Sequence, residues 1–494
     1  MFNKINPNTV TRSHLNIRQA MSHSEDIARL SASELRRMIE RRDVSPVEAV
    51  EACLAQVERY NGTINAVVTL NERALDEARR LEQQTARGAA MGLLHGLPVG
   101  IKDVTPVAGL RMTYGSPRHA DHVAEEDALV VRRLRAAGAV ILGKTNTPEF
   151  AAGGNTFNDV FGPTRNPWNP ALTAGGSTGG GAAALATGMI ALAEGTDLGG
   201  SLRMPASFCG VVGMRPSAGL VPTAPSDYLW DTLSVSGGMG RTAEDVALFL
   251  QATAGPSPDS PVYQPIEGRD FVEAVQAGLS GDLRLAYCPD VAGIGIDEGV
   301  EQVCRTAAFE MRQAEVEVEE IEMDLSIGRD AFLALRGYEM VAVHYWRLGV
   351  VDQLGDNVAG NIRAGLAVTT EALGAAEDAR GQLWRRFRDF FRRFDFLLTP
   401  CMAVPPFPVE QNYPETVAGK KMETYVDWFA PTFVLSLTNL PVGCVPCGLD
   451  AAGLPVGLQI VGPPLGEERV LALARQVQQA LPIDLPNLSG LSTH

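Results

Sequence analysis

Residues 175–203 read GGSTGGGAAALATGMIALAEGTDLGGSLR, and they contain two serines, Ser177 and Ser201, that each follow a pair of glycines. Glycine tolerates positive φ angles and lets backbone N–H groups come close to a reacting atom. We therefore interpret the stretch as a site with two exposed hydroxyl groups. The Ala- and Leu-rich segment 182–193 between the serines predicts a short helix that is buried on most sides.

Two common motifs do not fit this stretch. A phosphate-binding loop needs Lys and then Ser or Thr after its last glycine, but Ala182 follows Gly181. A nucleophile elbow needs a glycine two residues after its serine, and Arg203 stands there after Ser201. The stretch alone leaves one alternative open, in which both glycine clusters are flexible turns between buried elements.

The composition limits the classes of function. The 494 residues are 45% apolar and 20% charged, and 42 basic against 58 acidic residues give a net charge of −16. This charge disfavours nucleic-acid and anionic membrane partners. The sequence has no apolar run of spanning length and starts without a hydrophobic signal core. Seven scattered cysteines fit a reducing compartment, with Cys444 and Cys447 as core thiols, so we predict a cytoplasmic protein.

The order of elements predicts an α/β protein. A helix-capping signal at Ser45 begins a helix that we expect to end near residue 60. Segment 283–321 predicts a strand–helix–strand unit, whose right-handed crossover places both strands in one parallel sheet. Helices of about 20 residues are predicted at 327–349 and 369–393. We find no linker that divides the chain.

Lys102 ends a strand-like apolar run over residues 97–101. Lysine is almost never fully buried without a partner, so an inward-facing Lys102 would be functional. On an edge strand the same lysine would be solvated. The segment by itself leaves both interpretations open.

Three segments together resemble the amidase signature family: GLPVGIKD at 96–103, GGSTGGG at 175–181 and GTDLGGSLRMPASFCGVVGMRP at 195–216. The family motif covers roughly residues 140–225, and the resemblance extends from about residue 28 to the C-terminus.

The resemblance implies one large α/β domain with a mostly parallel or mixed twisted central sheet, covered by helices on both faces. We expect this domain over residues 25–494, after a flexible tail at 1–24. Its signature core would span about 95–255. A variable, substrate-shaping segment would span about 320–435, where the resemblance is weakest.

The resemblance also implies a Ser-cis-Ser-Lys triad, with Ser201 as the nucleophile, Ser177 as the bridging serine and Lys102 as the base. A lysine can act as a base if it is neutral, which burial promotes because desolvation disfavours the ammonium form. Such a mechanism needs no metal and no organic cofactor.

The remaining site expectations come from the same resemblance. The peptide bond between Gly176 and Ser177 should be cis, and Thr178 stands where many members repeat serine. Asp197 and Arg203 should brace the loop rather than act as acid or base. The oxyanion hole should consist of backbone N–H groups from these residues: Leu198, Gly199, Gly200 and Ser201.

The implied activity is a serine-dependent amide hydrolase that forms an acyl-enzyme, and the same site could cleave carbamates (urethanes) or esters. An alternative is the glutamine-hydrolysing subunit of a tRNA amidotransferase. Against it, the sequence offers no cation that we can assign to a glutamine carboxylate in 320–435. A catalytically dead binding protein would require the loss of a triad residue, and all three are present. Analogy with the family favours a homodimer.

Aromatic residues in proline-bounded loops outside the signature need a surface to cover, and small-ligand pockets are lined in this way. We therefore predict a small hydrophobic or aryl amide as the substrate. The predicted pocket residues are these: Tyr228, Trp230, Tyr425, Trp428 and Phe429.

Overall fold

The computed structural model describes residues 24–312 and 316–491. Within these residues, eleven strands form one sheet in the order β1-β3-β2-β4-β6-β5-β12-β13-β9-β7-β8, and β10 and β11 form a small hairpin. The strands are β1 Val67–Leu70, β2 Pro98–Lys102, β3 Val140–Thr145, β4 Leu192–Asp197, β5 Val212–Arg215, β6 Val235–Gly240, β7 Leu283–Tyr287, β8 Val316–Glu320, β9 Phe396–Pro400, β10 Thr416–Val417, β11 Lys420–Lys421, β12 Val442–Leu449 and β13 Pro455–Val461.

The sheet is mixed, which confirms the predicted α/β class. Parallel pairs occur in two groups, β3-β2-β4 and β9-β7-β8, and the second contains the predicted crossover over 283–321. The strands between these groups pair antiparallel, and β1 is antiparallel to β3. Among the described strands antiparallel pairs outnumber parallel ones, so of the two expected arrangements, mostly parallel or mixed, the sheet has the mixed one.

Helices cover both faces of the sheet. The α-helices are Ala32–Arg41, Pro46–Ile64, Ala74–Ala86, Leu129–Ala136, Gly179–Ala186, Arg203–Cys209, Ala243–Thr253, Phe271–Ala277, Glu298–Glu310, Gly328–Val343, Asp356–Leu366, Thr370–Phe390, Ala430–Ser436 and Glu467–Ala480. Buried residues fall into two large clusters, and neighbours along a strand alternate between them: Ala286 lies in one, and Leu285 and Tyr287 lie in the other. This alternation follows from the two-residue period of a strand.

Two local expectations need correction. The segment 182–193 is a helix only to Ala186, because the chain enters strand β4 at Leu192. A buried apolar run can form either a helix or a strand. Here residues 192–197 form a strand because they pair with β2 on one side and with β6 on the other. The helix predicted at 327–349 ends at Val343, and an additional helix, Asp356–Leu366, lies between the two predicted ones.

The capping signal at Ser45 is confirmed, since its side chain accepts a hydrogen bond from the Glu48 N–H and the Glu48 carboxylate accepts one from the Ser45 N–H. Apart from Ser24, the expected tail lies outside the described residues. None of the helices in the described ranges is long and apolar enough to cross a membrane.

Candidate active site

Two neighbouring parallel strands end at the candidate site. Strand β2 ends at Lys102 and β4 ends at Asp197, so their carboxyl ends lie at the same edge of the sheet. Ser201 follows in the loop after β4, and Ser177 lies two residues before the helix Gly179–Ala186. Ligands of α/β sheets bind outside the carboxyl ends of strands, which is where both glycine clusters lie.

Lys102 is fully buried, so the solvated interpretation of this lysine is excluded. Its Nζ donates hydrogen bonds to Ser177 Oγ at 2.7 Å and to Thr196 Oγ1 at 3.0 Å. Both partners are neutral hydroxyls. The ammonium form therefore gains no ion pair from either of them.

Burial lowers the pKa of Lys102 to about 7, although the carboxylates of Glu194 and Asp197 oppose this shift. Burial also raises the pKa of Glu194, whose carboxylate accepts hydrogen bonds from the Lys102 N–H and from Thr105 Oγ1. A lysine in this environment exists in both protonation states near neutral pH.

Ser177 and Ser201 open on one cavity of about 360 Å³. The N–H of Thr178 donates to the Ser201 carbonyl at 3.2 Å and so ties the two serine loops together. The peptide bond between Gly176 and Ser177 is cis. Among the described residues the Ser201 hydroxyl makes no hydrogen bond, so the structure joins Lys102 to Ser177 directly but does not show a bond between the two serine hydroxyls.

A buried charge cluster holds the Ser201 loop. The Asp197 carboxylate accepts hydrogen bonds from the Arg203 guanidinium at 3.0 Å, from the N–H of Leu202 at 3.2 Å and from Arg215 at 3.2 Å. Burial alone would raise the pKa of Asp197, but the two arginines outweigh it and hold this pKa well below its usual range. Asp197 and Arg203 thus make the contacts expected of bracing residues.

One of the four expected oxyanion donors points elsewhere. The N–H of Gly200 donates to Asp197 Oδ1 at 2.9 Å, so it is not directed at the cavity. Within residues 24–312 and 316–491, the N–H groups of Gly199 and Ser201 have no protein acceptor, and Leu198 lines the cavity. The expectation for Gly200 is corrected because the Asp197 carboxylate, a strong acceptor, lies within reach.

Gly200 is needed for its backbone geometry instead. Its φ of 130° lies in the region that only glycine enters easily, and an added Cβ would stand 2.4 Å from Thr432 Oγ1. That hydroxyl donates to the Gly199 carbonyl at 2.5 Å. The loop before Ser201 is therefore held against the helix Ala430–Ser436.

Sequence reasoning missed three polar residues beneath the site: Glu194, Thr196 and Lys144. Lys144 is fully buried in β3, and burial lowers its pKa to about 8 against the opposing effect of Asp103 and Glu194. A charged residue inside an apolar, strand-like run indicates a buried charge. This pattern pointed to Lys102 in the sequence, and the runs around Lys144 and Glu194 show the same pattern.

Only one of the five predicted pocket aromatics lines the cavity, namely Tyr228. Trp230 is 68% exposed, whereas Trp428 and Phe429 are buried and pack against each other in the core. Tyr425 lies behind the wall, where its hydroxyl accepts a hydrogen bond from Arg336. The loop argument therefore fails for four of them: Tyr425, Trp428 and Phe429 pack behind the wall or in the core, and Trp230 faces solvent.

The cavity wall carries charged groups that the sequence did not assign. Arg336 and Arg347, both within the variable segment, line the cavity together with Glu339. The premise that this segment offers no cation for a substrate carboxylate is therefore wrong. No group of three or more His, Cys, Asp or Glu side chains in the part of the chain that the structure describes could hold a metal ion.

The sequence and the fold of this chain are similar to those of known proteins. The model of the Amidase family matches residues 48–471. An acylamidase of Rhodococcus erythropolis is 35% identical over 462 residues, which cover 92% of this chain and 96% of that protein. One subunit of the glutamyl-tRNA(Gln) amidotransferase of Moorella thermoacetica is 32% identical over 477 residues, with 91% and 96% coverage.

The fold is also similar to that of a solved amidase structure. The crystal structure of a bacterial aryl acylamidase of the amidase signature family superposes with a TM-score of 0.85 at 26% sequence identity. The match covers 92% of this chain and 96% of that one. The similarity therefore extends over nearly the whole fold rather than over the glycine motifs alone.

Proposed function

Because this chain belongs to the amidase signature family and is a hydrolase of the amidase class, we propose that it cleaves amides through an acyl-enzyme on Ser201. The observation that carries the proposal is the 2.7 Å hydrogen bond between the buried Lys102 Nζ and Ser177 Oγ, beside a cavity that Ser201 shares. A serine hydroxyl is a weak nucleophile and needs such a base.

In the proposed reaction, neutral Lys102 takes the proton of Ser177, which in turn takes the proton of Ser201 as its oxygen attacks the carbonyl carbon. The N–H groups of Gly199 and Ser201 stabilise the developing oxyanion, and each such donor is worth about 3 kcal/mol. The proton returns to the leaving nitrogen and the amine departs. Water then attacks the ester on Ser201 by the same relay and releases the acid.

We further propose that the substrate is a small hydrophobic or aryl amide, and that carbamates and esters react at the same site. The cavity has an apolar wall, to which the following residues contribute: Val104, Tyr114, Phe150, Tyr228, Leu229 and Met340. The similarity to an acylamidase and to an aryl acylamidase supports this substrate class. A net charge of −16 favours a small-molecule partner over nucleic acid.

The test compares kcat/KM for acetanilide and an aryl carbamate with kcat/KM for acetamide and glutamine. Burial of one phenyl ring is worth about 2 kcal/mol, so we expect at least a roughly thirtyfold preference for the aryl substrates. Intact-protein mass spectrometry after mixing with an aryl ester should show the acyl group, and Ser201→Ala should not be labelled. Equal or better values for the small polar amides would contradict the aryl proposal.

A second candidate function is glutamine hydrolysis within an amidotransferase. It is favoured by the 32% identity to the Moorella thermoacetica protein and by the cations that line the cavity, Arg336 and Arg347. Ammonia release from glutamine by the purified chain, at a rate above that from acetanilide, would select this function. Light scattering of the same preparation would test the homodimer that we propose by analogy.

A further inference from the structure

One face of the helix Gly328–Val343, extended by His344, forms part of the cavity wall. The residues at positions 336, 339, 340, 343 and 344 all line the cavity, which is the spacing of one side of an α-helix. Arg336 begins this stripe and is only 7% exposed. A guanidinium group therefore lies almost wholly within protein, at the edge of the space that holds the substrate.

Arg336 has no ion-pair partner within 4.0 Å in the described part of the protein. Its Nε donates to Asn361 Oδ1 at 3.0 Å and its Nη2 donates to the Tyr425 hydroxyl at 2.8 Å, and both acceptors are neutral. Across residues 24–312 and 316–491, no carboxylate lies within 4.0 Å of the guanidinium, and Nη1 has no hydrogen-bond partner. Arginine stays protonated at all ordinary pH values, so this charge cannot be removed.

The nearest carboxyl group along the helix does not supply the missing charge. Glu339 lies one turn from Arg336, and burial together with the neighbouring Asp231 raises the pKa of Glu339 well above its usual range. Asp231, to which the Glu339 side chain is hydrogen-bonded, also accepts the N–H groups of Leu233 and Ser234. The positive charge of Arg336 opposes the rise in the pKa of Glu339, but no ion pair within 4.0 Å joins these two side chains.

Arg347, the second arginine that lines the cavity, already has an ion-pair partner. Its Nη1 donates to Asp227 Oδ2 at 3.1 Å, so its charge is already balanced. An unpaired buried charge costs more free energy than a paired and hydrogen-bonded one. Of the two cavity arginines, Arg336 is therefore the one that gains by binding an anion.

We propose that Arg336 is a specificity-determining residue that binds a carboxylate group carried by the substrate. The proposal rests on amide or carbamate hydrolysis at Ser201 and refines it: the substrate combines an aryl or other apolar part with an anionic group. Arginine binds a carboxylate through paired N–H donors. Nη1 is the donor that remains free for it here.

The test uses acetanilides that carry a carboxylate or the same-shaped neutral carboxamide at the ortho, meta or para position, or on a short chain. For the best position, we expect the wild type to prefer the carboxylate by about tenfold to a hundredfold in kcat/KM, as for a charged hydrogen bond. Arg336→Gln should abolish this preference, so that the carboxylate and the carboxamide are hydrolysed with similar kcat/KM. Arg336→Lys should keep part of the preference, because it keeps the charge.

The matched control is Arg363→Gln on the neighbouring helix, an arginine with a 57% exposed side chain in an ion pair with Asp352. It should retain the full preference, and melting temperatures should show that each variant is folded. If Arg336→Gln does not fold, the carboxylate preference of the wild type and its partial loss in Arg336→Lys test the proposal.

Three results would overturn the assignment: the carboxamide preferred at every position, a carboxylate preference that survives in Arg336→Gln, or ammonium-bearing acetanilides as the best substrates. The last result would mean that Asp231 and Glu339, rather than Arg336, bind the charged group of the substrate. Failure of the proposed function has a different signature, because the wild type would then hydrolyse none of the acetanilides, carbamates or esters.

Discussion

The protonation state of Lys102 should control the rate, and pH is the perturbation that changes it. With a pKa of about 7, half of the lysine is neutral at pH 7, whereas at the ordinary lysine value of 10.5 only about one molecule in 3000 would be. Burial thus increases the neutral fraction of Lys102 by roughly a thousandfold at neutral pH. Because the neutral form is the base in the proposed mechanism, we expect the rate to fall as the pH falls.

We expect kcat/KM for a substrate without ionisable groups to rise with pH along a single limb centred near pH 7. At pH 6 about a tenth of the plateau value should remain, and at pH 5 about a hundredth. The measurement is a profile of kcat/KM from pH 5 to pH 10 in buffers of constant ionic strength. Circular dichroism at each pH serves as the control for unfolding.

Lys102→Arg separates this mechanism from a merely structural role of the positive charge. Guanidinium cannot lose its proton under these conditions, so the variant should be inactive across the whole profile. A limb centred above about pH 9, a rate that does not change with pH, or normal activity in the arginine variant would each refute the neutral-lysine mechanism.

Three further predictions concern the loop around Ser201. Ser201→Ala should leave less than about a tenth of the wild-type rate with an unchanged melting temperature, and a higher rate would exclude Ser201 as the nucleophile. Gly200→Ala should lower kcat at least tenfold and destabilise the fold by about 1–3 kcal/mol, because its Cβ would meet Thr432. The control is Gly453→Ala, at a glycine that also has a positive φ (75°) but has no atom within 4 Å of an added Cβ, and it should change stability without changing kcat. Asp197→Asn removes the charge that two buried arginines share and should reduce the free energy of unfolding in urea by about 3 kcal/mol, and a loss below about 1 kcal/mol would contradict the bracing role.

The sequence predicted those structural features that are determined by residues close together in the chain. The capping box at Ser45 and the strand–helix–strand unit at 283–321 formed as expected, because capping and hydrophobic period act over a few residues. The glycine motifs located the two serine loops for the same reason. The structure shows both loops on one cavity with Lys102 beneath them.

Features that depend on distant contacts were not predictable in this way. Trp428 and Trp230 both lie in loop-like sequence, yet one is buried in the core and the other is exposed, since burial depends on the element that packs against each. The N–H of Gly200 bonds Asp197 because Arg203 and Arg215 hold that carboxylate in place. The helix that carries Arg336 was predicted at 327–349, but the side of this helix that lines the cavity was not.

The contacts of Arg203 tie the Ser201 loop to segments of the chain that are synthesised much later. Its guanidinium donates to the Thr432 carbonyl at 2.9 Å, to Ser436 Oγ at 2.7 Å and to Gln459 Oε1 at 2.8 Å, the last a partner 256 residues further along the chain. At 5–20 residues per second, a ribosome needs roughly 13–50 s to extend the chain from Arg203 to Gln459. Throughout that interval the loop that carries the proposed nucleophile, Ser201, lacks these three partners. We therefore expect a nascent chain that already contains Lys102, Ser177 and Ser201 to be inactive.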